Sequence, residues 1–369
     1  MDFTPLEKHL ETVAGWGVPG TGIVVTRDGK TVYEKYSGFR NHAMTKPVDE
    51  NTCFALYSMT KLYTSCAAMK LIENGVIGVD DEVSKYLPAY KNLTVETENG
   101  IKPVKTPLTV RHLMSMQGGL DYMLASPEIN KANEDGHATT RQIVNALASR
   151  PLHFEPGTQF RYSLCHDVLA AVIEEASGMK FSDYMHKEIF GRVGAENMVY
   201  HRTLIPDQGN ISDQWEYEDT ENVIKPCEPR NKYELSDNYE SGGAGLFAST
   251  REYAKLPCTL SCEELSPLKS GTIDLWASDQ LYEGEPDSGF LYPLIKAGYS
   301  YGLGVRTRTK YTGNSPVGEF GWNGAASAFV LIDRVNRLSL TFTMAVLGWT
   351  KNCFNEECLR NALYESVKD

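Results

Sequence analysis

Strand-like runs lie near both ends of the chain, and helical periodicity fills the middle. Gly22 to Thr26 and Thr31 to Tyr36 are rich in β-forming residues and flank Arg27 to Lys30, which carries Asp28-Gly29. That pattern predicts a β-hairpin. Ala325 to Ile332 and Leu338 to Val346 flank a polar turn, Asp333 to Arg337, and predict two further strands. Ser58 to Asn74 sets Leu62, Met69 and Ile72 among good helix formers and stops at Gly75. Asp167 to Ser177 is a second predicted helix, ending at Gly178.

Strands at both ends with helices between them predict an α+β fold with one antiparallel sheet assembled from both chain ends. Residues 1–77 and 251–369 then form a discontinuous α/β domain, and residues 78–250 an inserted, mostly helical lobe. The cleft between two such lobes is the expected ligand site. Thr203 to Tyr239, rich in acidic, Asn, Pro and aromatic residues, predicts a long surface loop bordering that cleft.

Composition narrows the partners. The 369 residues carry 36 Lys plus Arg against 48 Asp plus Glu, a net charge of −12. An acidic balance disfavours nucleic acid and, more weakly, an anionic membrane surface. Met1 to Val13 lacks the basic start and apolar run of a signal peptide, and no apolar stretch approaches the roughly 20 residues of a membrane span. A cytoplasmic location is therefore expected. Eight sparse cysteines suit reduced thiols. Neither Cys258 with Cys262 nor Cys353 with Cys358 has a nearby His pair at zinc spacing, so no metal site is expected.

Ser58, Met59, Thr60 and Lys61 form an S-x-x-K at the head of the first long helix. Side chains three apart share a helix face, so Lys61 lies beside Ser58. A serine hydroxyl attacks poorly until something takes its proton. A desolvated lysine with a lowered pKa does so, or makes a neighbouring phenol more acidic. A helix N-terminus adds donors and partial positive charge where an oxyanion forms. The same spacing recurs at Ser177 to Lys180 and Ser266 to Lys269. The first lies at a helix C-terminus, where the dipole has the wrong sign, and the second is in a loop with Pro267. Taken alone, Ser58 also fits a plain helix cap.

Gly298 to Gly302 spells G-x-S-x-G around Ser300, the nucleophile elbow of α/β-hydrolases. That elbow needs a following helix and a downstream His. Leu303 to Arg308 alternates like a strand, and every histidine lies at or before His201. Tyr162, Ser163 and Leu164 follow a Pro156-Gly157 turn just before the second helix. From there a tyrosine reaches a cleft or serves as an amphipathic rim residue. Gly321, Trp322, Asn323 and Gly324 precede a strand-like run, where glycines admit a ligand closely or simply make a turn.

Together and in order, these motifs resemble the serine β-lactamase and penicillin-binding-protein superfamily. The closest resemblance is to the branch of class C β-lactamases, D-aminopeptidases and type VIII carboxylesterases. It runs through Pro19-Gly20, Asp28-Gly29, Phe54 to Gly75, Val79 to Pro88, Leu108 to Leu120, Phe154 to Ser163, Gly242 to Thr250 and Tyr301 to Val305. It implies a β-lactamase/transpeptidase-like fold with Ser58 as acylated nucleophile, Lys61 as its activating partner and Tyr162 as proton carrier. Backbone N–H groups of Ser58 and Ala325 would form the oxyanion hole. Trp322, Asn323, Gly324, Leu164, Asp121 and Tyr122 are the expected substrate contacts. No metal or organic cofactor is implied.

Two departures bear on substrate. Relatives usually carry Asn two residues after the Tyr, here Leu164, and Lys or His at the start of the third motif, here Trp322. Losing a cation that pairs a substrate carboxylate costs roughly 1.5–3 kcal/mol. The YSL motif with Asp167 downstream and the Trp-x-Gly motif both resemble the carboxylesterase branch. The expectation is an esterase acting on a small, neutral or weakly charged ester through a Ser58 acyl-enzyme. A β-lactamase or D-amino-acid peptidase type of amide hydrolase, an acyltransferase and a non-catalytic ligand-binding protein are the alternatives. The expected partner is a small-molecule ester or amide, with neither nucleic acid nor membrane. No oligomeric state is implied.

Overall fold

The computed structural model describes residues 1–228, 233–281, 295, 297–311 and 313–368. Seven antiparallel strands make its main sheet: β1 Gly20–Arg27, β2 Lys30–Gly38, β3 Tyr299–Tyr301, β4 Arg306–Arg308, β5 Phe320–Asn323, β6 Phe329–Asp333 and β7 Leu338–Met344. Their order is β2-β1-β7-β6-β5-β4-β3, so both chain ends build one sheet, with β1 and β7 paired from Thr21↔Met344 to Arg27↔Leu338. The β1–β2 turn has Asp28 at φ 53° and Gly29 at φ 73°, the double positive φ that Asp-Gly tolerates.

Five helices matter for the site: α1 Thr4–Gly15, α2 Thr60–Glu73, α3 Cys165–Ser177, α4 Thr250–Leu260 and α5 Asn352–Ser366. Gly75 (φ 69°) and Gly178 (φ 66°) take the left-handed conformation just past α2 and α3, as the two helix stops predict. α2 packs on α3, α4 lies across β1 and β7, and α1 packs on α5.

Sheet pairing assigns the faces. Trp322 of β5 pairs with Val330, which pairs with Thr341, which pairs with Val24. Side chains repeat every two residues, so Gly22 and Thr343 share that face. There α4 comes very close: a Cβ on Gly22 would lie 2.2 Å from Thr250 Oγ1, and the Thr250 and Thr343 hydroxyls bond at 2.6 Å. Asn323 therefore belongs to the opposite face. From that side α5 reaches the sheet with Glu356 on Asn323 and Tyr364 on Asp333.

Three boundaries differ from expectation. Ala325 to Ala328 is a turn rather than strand, because Gly324 bonds Ala328 O through its N–H and receives the Ser327 N–H on its carbonyl. Val346 leaves the main sheet and pairs, with Leu347, in parallel with Gln214–Glu218. Nor is Thr203 to Tyr239 one long loop. It contains a hairpin, Gln214–Glu218 with Val223–Cys227, whose turn uses a positive φ at Asn222 (54°). Its residues 229–232 lie outside the described residues. Among the described residues no helix is long and apolar enough to cross a membrane.

Candidate active site

Ser58 sits in a 3-10 turn, Tyr57–Met59, that leads directly into α2. Tyr57 has φ 47°, a costly conformation for a bulky residue, and its surroundings enforce it. The Tyr57 carbonyl accepts from the Thr60 hydroxyl at 2.6 Å, and its phenol accepts from the Gln214 amide. One turn on, Lys61 is fully buried and its ammonium has three acceptors: Ser58 Oγ at 3.2 Å, Tyr122 Oη at 3.1 Å and Gly243 O at 2.8 Å. Burial pulls the Lys61 pKa down to about 7, against the opposing charge of Asp167.

Tyr162 comes from the loop before α3. Its ring lies 4.6 Å from Lys61 Nζ, and its phenol bonds Ser58 and accepts from Trp322 Nε1 at 3.1 Å. Burial pushes the Tyr162 pKa up, and the bonds to Ser58 and Trp322 offset part of that, so the phenol keeps its proton at neutral pH. Tyr122 and Trp322 flank the Tyr162 ring at 5.6 and 5.7 Å, and Tyr233 bridges Tyr122 to Tyr57. The wall around Ser58 is aromatic.

Asp167, in the first turn of α3, supports this group from behind. It is buried, accepts from Tyr239 Oη at 2.6 Å and Ser241 Oγ at 2.5 Å, and burial raises its pKa against those bonds and the Lys61 charge. A Cβ on Gly243 would lie 2.6 Å from Asp167 Oδ2 and 3.4 Å from Lys61 Nζ, so only glycine lets that turn come this close. Sequence reasoning had Asp167 only as a mark of a subfamily and missed Gly243, Tyr239, Ser241 and Tyr233. The paired glycines Gly242 and Gly243 were the available signal.

The structure brings Ser58, Lys61, Tyr162, Tyr122 and Trp322 together. Gly324 joins them through its backbone: a Cβ there would lie 2.5 Å from Leu56 O, which sets the end of β5 against the turn that carries Ser58. Among the described residues, neither the Ser58 nor the Ala325 backbone N–H is taken by a protein acceptor.

Three expected contacts lie elsewhere. Asn323 accepts from Arg306 Nη1 and donates to Glu356 Oε1, both at 2.6 Å, on the far face of the sheet, because strand alternation turns it away from Trp322. Leu164 is 1% exposed and packs in the apolar core, its N–H held by Asp121 O. Asp121 turns its carboxylate to Arg150 and His153, and hydrogen bonds from the Met123 N–H and from these two side chains keep its pKa low despite burial. Ser300 lies within β3, donates to Asp279 Oδ1 at 2.6 Å and is followed by β4 rather than a helix. That arrangement is no nucleophile elbow.

Comparison with known proteins identifies the family. A beta-lactamase family model matches residues 8–356. The chain is 24% identical over 352 residues to the acyltransferase CalJ of Penicillium decumbens, covering 84% of this chain and 80% of that one. It is 25% identical over 348 residues to the lovastatin esterase of Penicillium rubens, covering 84% of each. Esterase EstB of Burkholderia gladioli is 26% identical over 251 residues, 62% of each chain. Among solved structures, EstCE1, described as a hydrolase with promiscuous acyltransferase activity, superposes with a TM-score of 0.81 at 24% identity. That match covers 98% of this chain and 99% of EstCE1, and it shows the shared β-lactamase/transpeptidase-like fold. The chain belongs to the beta-lactamase family and is a serine hydrolase of that family.

Proposed function

We propose that the protein is a carboxylesterase that works through a Ser58 acyl-enzyme, with substrate entering between a lobe of residues 1–77 and 251–369 and a lobe of residues 78–250. The observation that carries this reading is Lys61, buried, 3.2 Å from Ser58 Oγ and with its pKa lowered to about 7. Neutral Lys61 takes the Ser58 proton as Oγ attacks the ester carbonyl. The N–H groups of Ser58 and Ala325 receive the oxyanion. Tyr162, protonated and bonded to Ser58, carries the proton to the departing alkoxide, and Trp322 Nε1 fixes its phenol. Water then attacks the Ser58 ester and the same groups run in reverse.

Neutral, apolar esters suit the aromatic wall best. Trp322 stands where many relatives place a cation, so a carboxylate-bearing lactam or peptide lacks its charge-assisted anchor. The sparse spacing of the eight cysteines along the chain supports a cytoplasmic setting. A second reading has a specific support: a relative matched along most of the chain is named an acyltransferase, and EstCE1 is described as having promiscuous acyltransferase activity. An alcohol in place of water gives that reaction on the same acyl-enzyme.

Intact-protein mass spectrometry tests the proposal, using a short-chain p-nitrophenyl ester, a cephalosporin and a fluorophosphonate with the native protein and Ser58→Ala. The expected result is a Ser58-dependent fluorophosphonate adduct, rapid ester turnover and no lasting cephalosporin adduct or hydrolysis. Adding a small alcohol then separates transfer from hydrolysis by the product ester. Cephalosporin turnover would move the enzyme to amide chemistry. No adduct with any probe would overturn the catalytic reading.

A further inference from the structure

The N–H groups of Ser58 and Ala325 each lie in a peptide plane whose carbonyl is pinned. The Ser58 N–H shares its plane with the Tyr57 carbonyl, which the Thr60 hydroxyl holds at 2.6 Å. The Ala325 N–H shares its plane with the Gly324 carbonyl, which receives the Ser327 N–H at 3.0 Å. What aims each N–H is therefore the conformation of the preceding residue and the grip on its turn. Tyr57 is the harder case. Its φ of 47° is left-handed, and a bulky side chain keeps that conformation only where its surroundings impose it.

A separate three-stranded sheet, in the order Val346–Leu347, Gln214–Glu218, Val223–Cys227, reaches both turns. From its middle strand the buried Gln214 donates its amide to the buried Tyr57 phenol. From its edge strand the Val346 carbonyl accepts from the Ser327 hydroxyl at 3.0 Å. The two strands are tied right beside these contacts. The Trp215 N–H donates to Ala345 O at 2.9 Å, and Trp215 is in register with Val346. Gln214 is also held from its other side, where its carbonyl lies 2.7 Å from His42 Nε2 and the Ser212 N–H donates to Cys53 O at 2.9 Å. One backbone unit thus spans from the turn of Ser58 to the turn of Ala325.

On the Ser58 acyl-enzyme reading, which it presupposes, we propose that this small sheet sets the spacing of the two oxyanion donors. Gln214 is the positioning residue for the Ser58 N–H, and Ser327 is the positioning residue for the Ala325 N–H.

Kinetics of the full chain on a short-chain p-nitrophenyl ester test this. Gln214→Met keeps the volume and deletes the donor to Tyr57. It should lower kcat about 10- to 100-fold with KM within about twofold, the loss expected for donors displaced by up to roughly 1 Å. Tyr57→Phe removes the same bond from its other end, so it should cost as much and add nothing to Gln214→Met. It also carries the test if Gln214→Met fails to fold. Ser327→Ala should lower kcat about tenfold, again with KM little changed. The decisive background is Tyr57→Gly, because glycine reaches this φ without strain; there Gln214→Met should change kcat by less than about twofold. Tyr57→Asn serves if the glycine variant fails to fold. A role in folding alone would cost the same in both backgrounds, and that result overturns the proposal. So does a native kcat in Gln214→Met, Tyr57→Phe or Ser327→Ala. Fluorophosphonate labelling of the native protein separates the two readings. Without a Ser58 adduct, the acyl-enzyme and this proposal fall together; with normal labelling and native-like variants, only the positioning role falls.

Discussion

The two faces of β5 treat buried charge in opposite ways. On the Trp322 face the hydrogen-bond partners of the Lys61 ammonium among the described residues are a hydroxyl, a phenol and a carbonyl. Among the described residues no carboxylate stands within ion-pair distance of it, and its pKa falls to about 7. On the Asn323 face, burial works to raise the Glu319 carboxyl, but the Arg360 and Arg306 charges more than offset it and hold its pKa below the usual range. Burial is nearly complete in both places. A buried lysine becomes a usable base when it is denied a counter-ion, whereas a buried acid ringed by guanidiniums stays charged.

The sharpest way to break this comparison is to remove each charge in turn. Lys61→Met should cut ester kcat/KM by about 10³-fold while Tm stays level or rises, since an apolar chain replaces a poorly paired cation. Lys61→Arg should not rescue it, because a guanidinium does not give up its proton at neutral pH. Glu319→Gln should do the converse. It takes from the buried Arg306, Arg308 and Arg360 the carboxylate they share, and should cost about 3–5 kcal/mol in denaturant unfolding.

Titration sharpens the same contrast. Lys61 acts in its neutral form, so log kcat/KM should rise with unit slope below about pH 7 and level off above it. A flat profile through that range would remove Lys61 as the base. The smallest effect concerns Trp322. Trp322→Phe keeps the aromatic wall but deletes the Nε1 donor to Tyr162, and should lower kcat about two- to tenfold with little change in KM.

Much of the site was legible from local rules. The S-x-x-K spacing puts Lys61 over Ser58, and the glycine stops and the Asp28-Gly29 turn lie where the pattern sets them. The misplaced residues failed for two reasons. Trp322 and Asn323 were both assigned to substrate, although period-two alternation forbids adjacent strand residues from sharing a face. Asp121 was lost to Arg150 and His153, partners about thirty residues away that no local pattern reveals. Within Thr203 to Tyr239, acidic and aromatic residues concealed a hairpin whose first strand is held by Val346 and Leu347, near the other end of the chain.

The glycines behind Lys61 set limits on how this enzyme can be evolved. Besides Gly243, a Cβ on Gly242 would lie 2.4 Å from His166 O, and one on Gly304 would lie 2.0 Å from Ser65 Oγ. A saturation library across these positions should return almost nothing but the parent residue. Tyr122, Tyr233 and Tyr57 meet near Ser58 through side chains rather than backbone, so changes in acyl preference should accumulate there.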